Sequence, residues 1–341
     1  MTKMSEENST ANVPTITITM VGPTRVGKTS LLAAMYGELE KEMLDIGCTF
    51  TMEAGPTTKS ICERLDELES LASGSGMKVQ AGEGIQGGVE KREYVFDLDV
   101  GDGGAPEVRL RFVDLPGGWY TGDGSYQEAD TELGKSSVSL LAVDAVALME
   151  SNGCFHKKIN APLHIKESYK RALKNLSAEH LIIITLIRSE TYIKNGREKE
   201  LIKKVKEEYA ELTKYLKKDG QQIAVYACLV ETVGGLVFHK FNLSDTDELI
   251  SVEYRRLKTE GYSPKKCALP LRIAAGKGLQ HALDEAIKEE MIHGTLWANI
   301  IAKLGFDTAL ARVKKKKEKI YQALEKIRGN INENDYHQIH S

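Results

Sequence analysis

The chain has 341 residues, 41% of them apolar, and a formal net charge of −3. That is enough to bury a large core in one domain, or in one domain with an extension. The near-balanced charge offers no bulk attraction for a polyanion, which argues against a nucleic-acid partner. The strongest apolar run, Leu181 to Ile187, falls far short of the roughly 18–20 residues a membrane span needs.

Residues 1–13 are polar and lack the apolar centre of a signal peptide, so a disordered lead-in is expected. Thr15 to Val21 alternates apolar residues with β-branched threonines and predicts a strand. After a glycine-containing loop, Leu31, Ala34, Met35 and Leu39 fall at helical spacing. A second helix carries Leu65, Leu68 and Leu71, and the glycine-rich stretch Gly74 to Arg92 predicts a mobile loop. Two strands, EYVFDLDV and EVRLRFV, are joined by the turn-rich GDGGAP. So short a link fits an antiparallel hairpin and excludes a parallel crossover.

From there strands and helices alternate. Strands are expected near Ala145–Met149, at Leu181–Leu186 and at Gln222–Ala227, with helices near Leu163–Leu176 and at Glu198–Lys217. The pattern predicts an α/β three-layer sandwich, its sheet mostly parallel with one antiparallel strand. Residues 14–275 are expected to form that domain. Residues 276–331 form a helical extension in two pieces split at KLGFD, and 332–341 a tail. In the second helical piece Leu310, Val313, Lys317, Ile320, Leu324, Ile327 and Ile331 make a seam. It packs on its own domain or, in the alternative reading, on a partner helix. The run Lys314 to Lys317 reads as a solvated helix face. Five cysteines (Cys48, Cys62, Cys154, Cys228 and Cys267), odd in number and without a C-x-x-C pair, read as reduced thiols of a cytoplasmic protein.

The chemistry concentrates at Gly22 to Ser30, GPTRVGKTS. Gly22, Gly27, Lys28 and Thr29 complete the spacing G-x-x-x-x-G-K-[ST] between a predicted strand and helix. Such a loop turns backbone N–H groups inward around phosphates, and the following helix presents its positive end. Gly22, Thr24, Arg25, Val26, Gly27, Lys28, Thr29 and Ser30 are therefore candidate nucleotide-binding residues. Lys28 is expected to reach the β- and γ-phosphates, and the Thr29 hydroxyl to bind Mg²⁺. Thr24 and Arg25 are larger than the residues that leave most room around a γ-phosphate. Asp114 ends an apolar strand and precedes Leu115, Pro116 and Gly117, giving D-x-x-G. The acid suits the second metal-side position, and Gly117 can offer its N–H to a γ-phosphate.

With these motifs in this order, residues Thr15 to Leu236 resemble the translation-factor-related (TRAFAC) class of P-loop GTPases, and in particular bacterial GTPase-like proteins with a divergent base motif. The resemblance implies a Mg²⁺-dependent guanine-nucleotide-binding protein, taking GTP and GDP. Guanine would be read at Ile187 to Glu190, with the Arg188 stem along the base and the Glu190 carboxylate accepting from it. Ile187 lacks the polar strut of the family unless Thr185 substitutes. Ala227, Cys228 and Leu229 match the loop whose backbone meets the guanine O6. Gly118 stands where many relatives carry a water-orienting glutamine. Thr49, Thr51, Thr57 and Thr58 are the only threonines placed to serve the first switch, so slow turnover is expected. Arg25 matches a position where some relatives hold a K⁺ ion with asparagine, making it, with Lys28, the candidate catalytic residue. A molecular switch results, with a protein partner met through its C-terminal helices or switch loops and with no membrane or specific nucleic acid. The alternatives are a nucleotide-binding scaffold with little or no hydrolysis, or a P-loop ATPase or kinase. A kinase would need an arginine-bearing lid, which the sequence does not display.

Overall fold

The computed structural model describes residues 13–45, 48–74, 76–81, 90–99, 106–121, 125–177, 179–217, 223–246, 248–257, 260–304, 307–329 and 336–340. Outside them lie most of the expected lead-in, much of the Gly74–Arg92 loop, the hairpin turn, Ile331 of the seam and most of the tail before its last strand. The side chains of Leu310 and Val313 lie outside as well.

The first half of the chain runs β1 (Thr15–Val21), α1 (Lys28–Asp45), β2 (Thr49–Met52), α2 (Pro56–Ser73), β3 (Lys78–Ala81), β4 (Arg92–Asp99) and β5 (Val108–Asp114). Then come α3 (Gly118–Thr121), α4 (Tyr126–Lys135), β6 (Val138–Asp144), α5 (Ala145–Met149), α6 (His156–Ile159), α7 (Pro162–Ala172) and β7 (Leu181–Ile187). The remainder is α8 (Glu190–Lys194), α9 (Glu198–Glu208), α10 (Ala210–Leu216), β8 (Ala224–Leu229), β9 (Leu236–Leu243), β10 (Leu249–Arg256), α11 (Ala268–Leu304), α12 (Asp307–Gly329) and β11 (Tyr336–His340).

Eight strands form one sheet in the order β11-β8-β7-β6-β1-β5-β4-β2. Its centre, β8 to β5, is parallel. β6 and β7 are buried along their whole length, as continuous apolar runs require when helices cover both faces. The expected hairpin is present: β4 pairs antiparallel with β5, and β2 pairs antiparallel with β4 beyond it. Strand order reverses beside β1, whose neighbours are β5 and β6. Ligands of open α/β sheets bind at such a switch point, outside the carboxyl ends of the strands. Met20 opposite Asp114 puts the ends of β1 and β5 level, while β6 runs on to Asp144 past Leu141, the partner of Val21.

Several elements differ from their sequence expectations, each for a local reason. The strand expected near Ala145–Met149 is Val138–Asp144, and Ala145–Met149 is a helix. Asp144 makes the change of direction, its Oδ1 accepting from the Ala147 N–H at 3.0 Å as an N-cap. The single helix expected over Glu198–Lys217 breaks at Tyr209, where φ is −102° and ψ 11°. β3 lies inside the stretch expected to be a loop, and with β10 and β9 it forms a separate three-stranded antiparallel sheet. No element was expected over Leu236–Arg256; its strands are only half buried, so they lack a strong apolar run.

The C-terminal helices lie on the domain. The first half of α11 buries Leu271, Ala274, Ala275 and Leu279, and α12 packs along it with Ile320, Leu324 and Ile327 buried. The described part of the seam is thus satisfied within the chain, while Lys314, Lys315 and Lys316 are exposed. β11, within the expected tail, closes the sheet edge against β8 and sets Tyr336 edge-on to Tyr226 at 5.2 Å. Among the described residues no helix is long and apolar enough to cross a membrane.

Candidate nucleotide-binding site

The loop between β1 and α1 is shaped by backbone that ordinary side chains rarely adopt. Gly22 and Gly27 have φ of 149° and 109°, and Arg25 has 66°. At Gly27 the φ of 109° is what requires glycine, since the nearest atom to an added Cβ, Ile187 Cδ1 at 2.8 Å, is the movable end of a side chain. Lys28 opens α1 and is 7% exposed. Its Nζ donates to the carbonyls of Gly22 at 2.9 Å and Pro23 at 3.4 Å, drawing the start of the loop around the ammonium. Burial lowers its pKa, and the charge of Asp114 opposes that shift. Val26 is buried as an anchor, Ser30 is half-buried, and Thr24 and Arg25 are exposed.

Asp114 closes β5 beside this loop, where Thr29 Oγ1 donates to its Oδ2 at 3.0 Å. Its other oxygen, Oδ1, is buried without a hydrogen-bond partner. Burial raises the Asp114 pKa, opposed by Lys28, the Thr29 hydrogen bond and Arg92. A hydroxyl and an orphaned carboxylate oxygen side by side fit a hard divalent cation such as Mg²⁺.

Gly117 lies directly on the phosphate loop. A Cβ there would fall 1.9 Å from Thr24 N and 2.3 Å from Pro23 C, contacts no side chain survives. α3 follows at once, and the buried Tyr120 donates from Oη to Met20 O at 3.3 Å, tying it to β1. Gly118 occupies the position after Gly117, with no side chain to orient a water. Of the four candidate switch threonines, Thr49 and Thr51 sit on β2, separated from β1 by β5 and β4. Thr58 Oγ1 donates to Glu53 O at 2.6 Å, and Thr57 is half-buried in the first turn of α2.

The base end is built differently. Arg188 has φ of 59°, and its Nη1 ion-pairs with Asp144 Oδ2 at the end of β6. Asp144 is itself braced by Asn160, which accepts from its N–H at 2.8 Å and donates to its carbonyl at 3.1 Å. Glu190 is 4% exposed, and its Oε1 accepts from the N–H groups of Val233 at 3.0 Å and Gly234 at 3.3 Å. Burial raises its pKa against those bonds. Both side chains of the expected base motif therefore have partners within the fold. Ile187 takes the strut position with an apolar contact to Gly27, and Thr185 is fully buried with its hydroxyl unpartnered.

Ala227 and Cys228, expected in the turn after β8, lie inside the strand. β8 runs to Leu229, and both residues are fully buried between β7 and β11. The turn begins at Val230, whose carbonyl accepts from Ser189 N–H at 3.3 Å. Asp144 was not singled out in the sequence. Its signal is the one Asp114 carries, an acid ending a buried strand, but without a following D-x-x-G to mark it.

Comparison with known proteins places this geometry in context. The family model described as Double-GTPase 2 matches residues 16–224. Two solved structures of the Saccharomyces cerevisiae Ski7 GTPase-like domain are similar to the chain. The one bound to GTP is 16% identical, covers 67% of this chain and 45% of that one, and has a TM-score of 0.38. The one bound to GDP and inorganic phosphate is 16% identical, covers 64% and 43%, and has a TM-score of 0.36. The chain thus spans less than half the length of either, and likeness at this level carries no argument about activity. No curated protein matches the chain.

Proposed function

The chain belongs to the Double-GTPase 2 family, and from that premise we propose that it is a Mg²⁺-dependent guanine-nucleotide switch that hydrolyses GTP slowly. The observation that carries this reading is the pairing of a buried Lys28 ammonium, wrapped by its own loop, with the Thr29–Asp114 contact one strand away. In this reading Lys28 exchanges its loop carbonyls for phosphate oxygens, and the N–H groups from Thr24 to Ser30 surround the phosphate chain. Thr29 and Asp114 would hold Mg²⁺, which supplies charge neutralisation at the β- and γ-phosphates. Gly117 offers its N–H from its seat on the loop.

At the base end Glu190 accepts the guanine N–H groups by giving up Val233 and Gly234, and the Arg188 stem lies along the ring. The backbone of the β8 turn meets the base oxygen. Slow hydrolysis follows from the missing side chain at Gly118, with Arg25 poised over the phosphates as a cationic catalytic group. The switch loops order on the triphosphate and meet a protein partner, as do the C-terminal helices. Its described cysteines are free thiols, in keeping with work in the cytoplasm.

Nucleotide carried through purification and a phosphate-release assay test the proposal together. Bound GDP and slow release of phosphate from GTP support it. Bound ADP, or fast release without any partner, overturns it.

A further inference from the structure

Beside Asp114 stands a group of basic and aromatic side chains that the proposed function leaves unused. β4 runs antiparallel to β5, and its first residue, Arg92, is the ladder partner of Asp114. Directly opposed residues of such a pair project from one face of the sheet. Arg92 and Asp114 therefore rise on the same side, the side on which Thr29 meets Asp114. Tyr94, two residues along, shares that face; its ring is buried and its hydroxyl faces Arg92 and Ser60.

α2 crosses above. Its Ser60 Oγ accepts from Arg92 Nη1 at 3.5 Å, and Arg64, one turn on, is held by Glu67 at 2.8 Å. Burial lowers the Arg64 pKa, and the positive charge of Arg92 acts in the same sense. Arg92 thus stands beside the metal-side carboxylate, with Arg64, held by Glu67, one turn beyond Ser60 on α2. Arg92 is exposed, and its contact with Ser60 is long for a hydrogen bond. An exposed guanidinium beside that carboxylate is placed to meet an anion entering there. The anion the site is built for is a triphosphate.

We propose that Arg92 is a catalytic arginine supplied in cis, touching the γ-phosphoryl group from the metal side, with Ser60 and Arg64 positioning it. This rests on reading the chain as a GTPase. In the step it serves, a water oxygen bonds to the γ-phosphorus and the bond from that phosphorus to the bridging oxygen breaks. The electron pair stays on the β-phosphate of GDP, the water's proton leaves with the phosphate product, and nothing is oxidised or reduced. The guanidinium neutralises charge gathering on the transferred oxygens and the leaving oxygen. Arg25 lies on the phosphate loop and Arg92 at the start of β4, so the two arginines are separable by mutation.

The test combines single-turnover hydrolysis of labelled GTP, GDP and GTP affinities, and capture of GDP with aluminium fluoride. Arg92→Ala is expected to slow the single turnover by about a hundredfold or more while leaving both affinities within about threefold. It should also lose the GDP–aluminium fluoride complex that the unmodified chain forms. Arg92→Lys should recover little, since an ammonium lacks the planar fork, whereas added guanidinium ion should restore part of the rate to Arg92→Ala. Arg92→Gln, which keeps a polar, hydrogen-bonding end on a shorter stem, guards against loss of folding. A rate within about threefold of the unmodified chain, or a retained fluoride complex, overturns the assignment. So does an unmodified chain that binds GTP but neither hydrolyses it nor captures the fluoride. Failure to bind GTP at all overturns instead the reading on which the assignment rests.

Discussion

The two ends of the candidate site hold their functional groups in opposite ways. At the phosphate end the groups are largely backbone, shaped by glycine, and the side chains present are short of partners. Asp114 Oδ1 has none, and Lys28 makes do with the carbonyls of its own loop. At the base end both charged groups are engaged, Arg188 with Asp144 and Glu190 with two backbone N–H groups. An under-satisfied set of groups is ready for a ligand, whereas a satisfied set must release its partners first. Phosphate binding is thus expected to supply most of the affinity, and base selectivity to be modest and dependent on rearrangement.

That contrast can be broken by substitution. Lys28→Ala should weaken GTP binding most, on the order of a hundredfold by titration calorimetry, since it removes a charged hydrogen-bonding group. A loss much smaller than that would remove the asymmetry. Gly117→Ala comes next, because its Cβ would meet backbone and not a flexible side-chain end. A loss of roughly 3 kcal/mol in chemical denaturation is expected, together with weaker GTP binding.

Arg188→Ala strands the buried Asp144 carboxylate, which is 1% exposed. It should cost about 2–3 kcal/mol of stability while changing GDP affinity much less than Lys28→Ala does. If GDP affinity fell as far as stability, the base end would be more ready for ligand than its partners indicate.

A control lies at the amino ends of the strands, away from both. His180 is 1% exposed, with Nδ1 donating to Ser136 O at 2.8 Å and Nε2 3.0 Å from Ser139 Oγ. Desolvation pushes its pKa down to about 4, against the Ser136 hydrogen bond and helped by Lys277. The unfolded chain therefore binds the proton first as pH falls below 6.5, and stability is lost towards pH 4, by roughly 3 kcal/mol. Denaturation midpoints across that range should show the slope, and His180→Gln should flatten it. The smallest effect belongs to Arg25→Gly. Relief of a left-handed φ of 66° should raise stability by about 1 kcal/mol. Slower turnover in that variant would sharpen the role proposed for Arg25.

How much of this was legible in the sequence follows the same division. The phosphate loop is a contiguous motif whose geometry depends on glycine and on spacing, so Gly22, Gly27, Lys28 and Thr29 could be read directly. Asp114 and Gly117 were legible because a short turn forced their strand into a hairpin. The α5 helix was mistaken for a strand because Val138 to Met149 is nearly uniform in hydrophobicity, and only the cap at Asp144 divides it. The small sheet was not seen because β9 and β10 are half-exposed and β3 is four residues long. The base end depends on which of several nearby partners each charge selects. Arg188 chooses Asp144 from another strand and Glu190 chooses a turn more than forty residues on, neither of which local pattern records.

The central claim is that the chain binds a guanine nucleotide through the Lys28 loop. Titration calorimetry of Mg²⁺-GTP and Mg²⁺-ATP into the unmodified chain, nucleotide-free, tests it most directly. GTP is predicted to bind more tightly than ATP, with Lys28→Ala abolishing the difference by weakening both. ATP binding more tightly, or GTP binding unaffected by Lys28→Ala, would contradict the claim.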